Sequence, residues 1–386
     1  MSLSRAEQSM LLAYLAVSLT CLLGDVPEAV CWQEPEQPRD RLFAKVDFLW
    51  WYLKKDEIPP LLTTGPDGTT GVPGDPGVTT FYGGSIMSRH DRFIGVRPTL
   101  GYWFNEAETV GLEATAFFVE RDSSILHIKR VTSPLFLLYT DANTGEQAVE
   151  QFSGLFPSGV TRQGSVQVYG RKEIYAEDVR GLVEISRNET WKWTAIAGAK
   201  FIQFRNQLNI VTTGMDLPDL NVLYGVEDNY HAYDRFYGGQ LGLRTEAKWG
   251  NWFINGTVTC GLGTNEQRLV THGSRLVHTP VSYDRRDVGL YIQHSNTGED
   301  IRWAFSAVPE VNLNLGWAPR EWFNVQIGYS AFVWLNVLRA GDQVDTVVNT
   351  NQINGETYDG PARPTIPWKE STFWAQGLNI GCELRW

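Results

Sequence analysis

Several things are scarce in this 386-residue sequence, and each scarcity closes off a class of protein. Four cysteines are too few for a disulfide framework in a chain of this length. The six histidines (His90, His127, His231, His272, His278 and His294) show no metal-ligand spacing, so no metal is expected. Basic residues are in deficit: 33 Lys and Arg against 44 Asp and Glu leave a net charge of -11, the wrong sign for a nucleic-acid binder. A mean hydropathy of -0.24 leaves no room for the several runs of about 20 apolar residues that a bundle of membrane helices needs. The G-x-S-x-G nucleophile signature is missing, and Gly238-Gly239 lies inside a strand pattern with no helix after it, so it is no phosphate loop. The expectation is a protein that is not an enzyme, with no catalytic residue and no cofactor.

Aromatic residues and glycine are abundant: 15 Trp, 15 Tyr, 18 Phe and 37 Gly. With 42% hydrophobic and 20% charged residues, the chain has the makings of a folded core. Near the start, Arg5 precedes an apolar run from Met10 to Leu23, about the length of a signal-peptide core and too short to span a bilayer. Residues 1–29 are therefore expected to be an export signal, followed by a periplasmic segment, 30–41.

From Leu42 onward the side-chain pattern has a period of two. In LFAKVDFLWWYL, Ala44, Val46, Phe48, Trp50 and Tyr52 share one face and Lys45 and Asp47 the other. The same alternation runs through 92–104 and 108–121, and further segments follow near 174–187, 191–205, 234–248, 252–265, 299–317, 321–338 and 372–386. That makes about ten runs, each long enough for a tilted strand to cross a membrane, which takes roughly 9–11 residues. The links alternate in length. Tight turns at 105–107, 187–190, 249–251 and 318–320 are interleaved with long stretches at 55–91, 122–173, 206–233, 266–298 and 339–371. Short periplasmic turns and long outer loops give a membrane barrel this asymmetry. The fold expected over 42–386 is an all-β, antiparallel, up-and-down transmembrane β-barrel of about ten strands. It becomes twelve if the apolar runs within 123–152 add a hairpin. The stretch 215–234, with Glu227 and Asp228, reads as an acidic solvated loop, and Cys260 and Cys382 as free thiols on the lipid side.

The final segment, FWAQGLNIGCELRW, alternates and ends on Trp386, which resembles the signal read by the outer-membrane assembly machinery. Outer-membrane lipid and that machinery are the partners expected. KVDFLWWYLK (45–54), AIAGAKFIQF (195–204), RFYGGQLG (235–242), VPEVNLNLGW (308–317), NVLRAGDQVDTVVN (336–349) and FWAQGLNIGCELRW (373–386) together resemble the planctomycete outer-membrane β-barrel porin family, which is related to major outer-membrane protein precursors. Lys200 departs from it, standing where Arg is expected after the Ala-Gly pair; the positive charge stays but the planar fork is lost. The resemblance implies a barrel with a porin-like role and carries no catalytic residues.

The functional candidates come from the two faces. Trp50, Tyr102, Trp191, Trp249, Trp317 and Trp386 are expected to form the interfacial aromatic girdles. Lys45, Asp47, Arg97, Glu113, Asp178, Arg180, Glu184, Lys200, Arg244, Glu246, Arg302, Glu310, Asn312, Glu383 and Arg385 are expected to line the lumen. Ten strands lie just above the number at which side chains fill the interior and far below a wide pore. Two readings stay open: a porin-like channel passing small hydrophilic solutes or ions, and a non-conducting structural or adhesive surface barrel whose long acidic loops recognise partners.

Overall fold

Backbone amides inside a bilayer have no water to bond, so a strand can cross only if a neighbour satisfies both its edges. In the computed structural model, which describes residues 41–84, 92–218, 222–353 and 359–386, ten strands meet that demand as a closed ring. The expected signal peptide and nearly all of 30–41 lie outside these residues.

In chain order the strands are β1 (Leu42–Leu53), β2 (Ile58–Thr64), β3 (Thr79–Gly84), β4 (Arg92–Trp103), β5 (Val110–Val131), β6 (Leu135–Asp141), β7 (Gln147–Leu155), β8 (Thr161–Arg187), β9 (Trp191–Leu217), β10 (Leu223–Trp249), β11 (Trp252–Thr279), β12 (Ser282–Arg286), β13 (Gly298–Arg320), β14 (Phe323–Leu338), β15 (Val347–Val348) and β16 (Glu370–Arg385). The ring runs β1–β4–β5–β8–β9–β10–β11–β13–β14–β16 and back to β1, every pairing antiparallel. The seam is continuous: Phe43 faces Arg385 at one end of the β1–β16 pairing and Leu53 faces Ala375 at the other. Leu42 and Trp386 exchange both backbone hydrogen bonds at 2.9 Å. No edge is left to pair with another chain at this seam. Side chains follow the pleat, as in β1, where Val46, Phe48, Trp50 and Tyr52 are exposed while Leu49, Trp51 and Leu53 are buried.

On β9 the outward apolar belt runs from Trp191 to Phe201 before giving way to Gln203, Arg205, Gln207 and Asn209. Ten residue steps at the usual rise and tilt give about 25 Å, the height of a bilayer's apolar band. Five adjacent strands do not stop there. β5 is 22 residues long, β8, β9 and β10 are 27 and β11 is 28, against 12 for β1 and β4. They form a tall wall on one flank. The segments 206–233 and 266–298, expected as loops, are thus largely strand, as is much of 122–173. The outward face above the belt is polar, so the sequence signal for a lipid-facing strand ends there, but ladder hydrogen bonding does not depend on lipid and carries the strands on.

The hairpin foreseen within 123–152 exists as β6–β7. It pairs with β2 and with the far end of β8 and inserts no strand into the ring, so the ring number is ten. With β2, β3 and the links at 288–292 and 338–348 it packs onto the concave side of the tall wall, burying Leu61, Leu62, Leu137, Val168, Leu208 and Tyr291 in a core above the membrane belt. In this head Gly71, at φ 79°, lies against the Phe136 ring, where a Cβ would collide; Thr63 donates to the Gly71 carbonyl at 2.7 Å. Polar side chains of the wall fasten the links by their backbones. Asp228 accepts the N–H groups of Leu290, Tyr291 and Ile292 at 3.2, 3.0 and 2.7 Å. Asp234 accepts that of Leu338 at 2.9 Å, and Asn206 accepts that of Ala340 at 2.7 Å. This corrects the reading of 215–234 as a solvated acidic loop: Asp228 and Asp234 fall on the inward face of β10 and are fully buried.

Candidate functional site

Inward-facing positions of the ring stack in layers from the short-turn end upward. The mouth at that end is an open basin of about 640 Å3 bounded by Glu108, Glu246, Lys248, Asn324, Glu383 and Arg385. Charges there pair along the rim: Glu184 with Arg187 at 2.7 Å, Glu246 with Lys248 at 3.0 Å, and Arg385 with Glu383 at 2.7 Å and with Glu108 at 3.4 Å. Above it Phe43, Trp103, Leu182 and Ile196 form a small apolar layer. The Phe43 ring lies across Gly101, where any Cβ would overlap it, so Gly101 is what lets the aromatic lie flat against the wall.

The next layer holds most of the charge. Arg180 reaches Asp178 at 2.6 Å and Glu113 at 3.4 Å, and Arg244 grips Glu113 with two bonds of 2.9 and 3.0 Å. Lys200 bonds Glu310 at 2.6 Å and lies 3.6 Å from Asp178. Asp47, with no exposed surface, is held by Arg97 at 3.0 Å and Lys45 at 3.2 Å. Asn312 joins the two groups, accepting from Arg97 at 2.9 Å and donating to Glu310 at 2.9 Å. On the β16 side Gln326 donates to Asp47 at 2.9 Å, and Asn379 accepts from Ser330 and donates to Asn314, both at 2.7 Å. A low-dielectric interior makes unpaired charge costly, and here each carboxylate has a cation against it. The space left among these side chains is about 100 Å3.

Above the charges the lumen turns apolar. Trp51, Phe117, Phe332, Phe204, Phe373 and Trp334 are buried together, with ring centroids 4.7 Å apart for Phe204–Phe373 and 5.4 Å for Trp51–Phe117. The head closes over this layer.

The structure thus brings Lys45, Asp47, Arg97, Glu113, Asp178, Arg180, Lys200, Arg244, Glu310 and Asn312 into one layer and puts Glu184, Glu246, Glu383 and Arg385 at the mouth. Arg302 is elsewhere. It has inward parity but lies high on β13, in the head, where it donates to Gln267 at 2.5 Å, to Glu370 at 2.6 Å and to the Trp368 carbonyl at 3.1 Å. The length of β13, 23 residues, is why parity alone misplaces it. Thr115, on the same face of β5 as Glu113, also lines the cavity, as do Glu108, Lys192, Thr194, Asn255 and Thr257, which the sequence reading does not mark. Parity on β9 marks Lys192, whereas Glu108 sits in a turn at φ 52°, outside any alternation.

Tyr102, Trp191, Trp249, Trp317 and Trp386 are exposed at the short-turn end, with Trp252 directly between Trp249 and Trp317 in register, and Trp50 is exposed at the opposite rim beneath Arg92. The sequence reading missed a second aromatic file across the upper edge of the belt, Phe118–Tyr175–Phe201–Tyr237–Trp303, with successive centroids 6.4, 5.6, 5.1 and 6.3 Å apart. On β8–β10 these rings sit mid-strand, and a search at strand ends passes over them.

No curated protein matches the chain. Among solved structures, the outer membrane protease OmpT from Escherichia coli aligns over 92% of this chain and 99% of its own, at 9% identity and a TM-score of 0.37. The TodX deltaS2S3 mutant monoaromatic hydrocarbon channel aligns over 90% of each chain at 6% identity and a TM-score of 0.22. OmpT of Vibrio cholerae aligns over 89% and 97% at 11% identity and a TM-score of 0.15. Scores this low say nothing of activity. Residues 43–386, the whole ring and head, match the model of the family described as "Putative beta barrel porin-7 (BBP7)". The chain belongs to that β-barrel porin family.

Proposed function

We propose that this protein is an outer-membrane barrel that does not conduct, and that its working part is the head held outside the bilayer. The observation that carries this is the lumen: a paired charge layer with about 100 Å3 free, roofed by a buried aromatic layer and then by a packed core. A hydrated solute needs a continuous wet path, and a stack of well-packed apolar side chains is the opposite of one. Family membership supports the outer membrane as its place. The remaining parts of the reading are export by a signal peptide at 1–29, a planctomycete-type envelope, assembly through the strand ending at Trp386, long-link ends facing outward, and a role without catalysis.

The test is the purified full-length protein in a planar lipid bilayer. The expected record is silent at all holding voltages, and reproducible current steps would overturn the proposal. One observation favours a second reading. The basin of about 640 Å3 at the short-turn end admits solute as far as the apolar layer beneath the charges, so a narrow gated pathway would show itself in the same recordings as small, voltage-dependent steps.

A further inference from the structure

Among the described residues, the inserted links leave part of the tall wall uncovered. At the end farthest from the membrane, the concave face of β8–β11 bounds a cup of about 360 Å3 whose lining includes Glu150, Arg162, Tyr224, Arg275, Val277 and Asp284. A volume of this order lies at the lower end of small-molecule sites, roughly 300–1,000 Å3.

The cup sets charged side chains of both signs, in balance, among apolar ones. Arg275 donates through both terminal nitrogens to the two oxygens of Glu150, at 2.7 and 2.8 Å. Arg162 donates to Asp216 at 2.7 Å, and Arg286 donates to Asp284 at 3.0 Å. Arg162 is also held flat, its guanidinium carbon 4.4 Å from the Phe156 ring centre and 3.5 Å from that of Tyr224, whose hydroxyl donates to Asp216 at 3.1 Å. Gly214 makes this possible: Arg162 crosses the strand where a side chain at 214 would stand.

The three guanidiniums each hold a carboxylate, Glu150 and Asp284 in the lining and Asp216 beside it, which leaves no charge for an ionic ligand to neutralise. An anion would have to displace a bonded carboxylate, and a cation a bonded guanidinium. What the cup offers is fixed N–H donors side by side with carboxylate acceptors, next to an aromatic ring. A ligand whose neighbouring hydroxyls each donate and accept fits that array without breaking a pair. We infer that the cup binds a neutral sugar unit, free or within a longer glycan. The inference does not require a closed lumen, so current through the barrel would leave it standing.

The experiment uses the full chain in an amine-oxide detergent, which has no sugar headgroup to compete. Binding is measured by calorimetry with neutral disaccharides, a neutral polysaccharide, and uronic-acid oligosaccharides of matching length. Neutral sugars are expected to bind and the acidic ones to bind at least about tenfold more weakly, the scale of one lost charge-assisted contact. Binding of the disaccharide marks soluble sugars as the source; binding of the polymer alone marks a surface glycan. Tyr224→Ala removes the ring, and Val277→Trp fills the cup from a half-buried wall position while keeping every member of the ion pairs. Both are expected to weaken binding by about tenfold or more while keeping the heat-modifiable mobility of a folded barrel. The inference is overturned by heats no larger than dilution for every neutral sugar, by acidic sugars binding as well as neutral ones, or by undiminished binding to a folded Val277→Trp variant.

Discussion

Arg180 is the residue on which the charge layer turns, because it touches Asp178, Glu113 and Glu310 at once. Removing one partner of a buried pair leaves the other uncompensated, a cost of about 3–5 kcal/mol. Arg180→Ala is expected to lower stability by that order, read as an earlier unfolding midpoint in urea with lipid or detergent held constant. In the head, Asp228 is a different kind of buried carboxylate. Burial pushes its carboxyl up to about 7, although the N–H groups of Ile292 and Leu290 pull the other way. The folded chain therefore takes up this proton as the pH falls through about 7, whereas an unfolded Asp does so only near 3.9. Stability from this site is fully present below about pH 4 and is lost as the pH rises through about 7. The thermal midpoint of the head should thus rise from pH 8 to pH 5, and Asp228→Asn, which keeps an acceptor oxygen, should flatten that slope. An unchanged slope in the variant would assign the proton elsewhere.

At the scale of strands, lipid and water make opposite demands on exposed positions. Leu241, 68% exposed, lies below Tyr237 on the outer face of β10, within the belt. Leu241→Arg is expected to cost about 2–4 kcal/mol in lipid, the penalty for a cation near the bilayer midplane. Val281, 94% exposed on the turn between β11 and β12, should accept arginine within about 0.5 kcal/mol. Equal costs at the two sites would put the belt in the wrong place. The contrast also explains what could be read from the sequence. β1 and β4 are legible because their whole length is alternation against lipid, so Lys45, Asp47 and Arg97 could be assigned inward from parity. β9 and β10 are legible only to about Phe201 and Tyr237. Beyond these, both faces carry mixed residues and strand resembles loop, so Asp228 reads as solvated and the tall wall leaves no mark in the sequence pattern. The aromatic roof was hidden for a related reason: Leu49 and Trp51 occupy the face that Lys45 and Asp47 had marked as polar.

For the molecule as a whole, closure depends on β16, which pairs with β1 on one side and β14 on the other. Trp386 completes that closure through its reciprocal backbone bonds with Leu42. If the last strand is also what the assembly machinery reads, Trp386→Ala should reduce the heat-modifiable fraction recovered from outer membranes while leaving refolding in detergent nearly unchanged; equal losses in both would make the residue structural alone. The unequal strand lengths carry one more consequence. Because β5 and β8–β11 rise past the bilayer on one flank, the barrel has a front and a back. A membrane neighbour drifting up to the tall flank meets a parapet of protein above the lipid. Among the described residues, β1 and β4 stop at the rim, so one arriving there meets a lower wall. Crowding in the plane of the membrane is therefore directional for this protein, and close-packed copies would share a preferred heading.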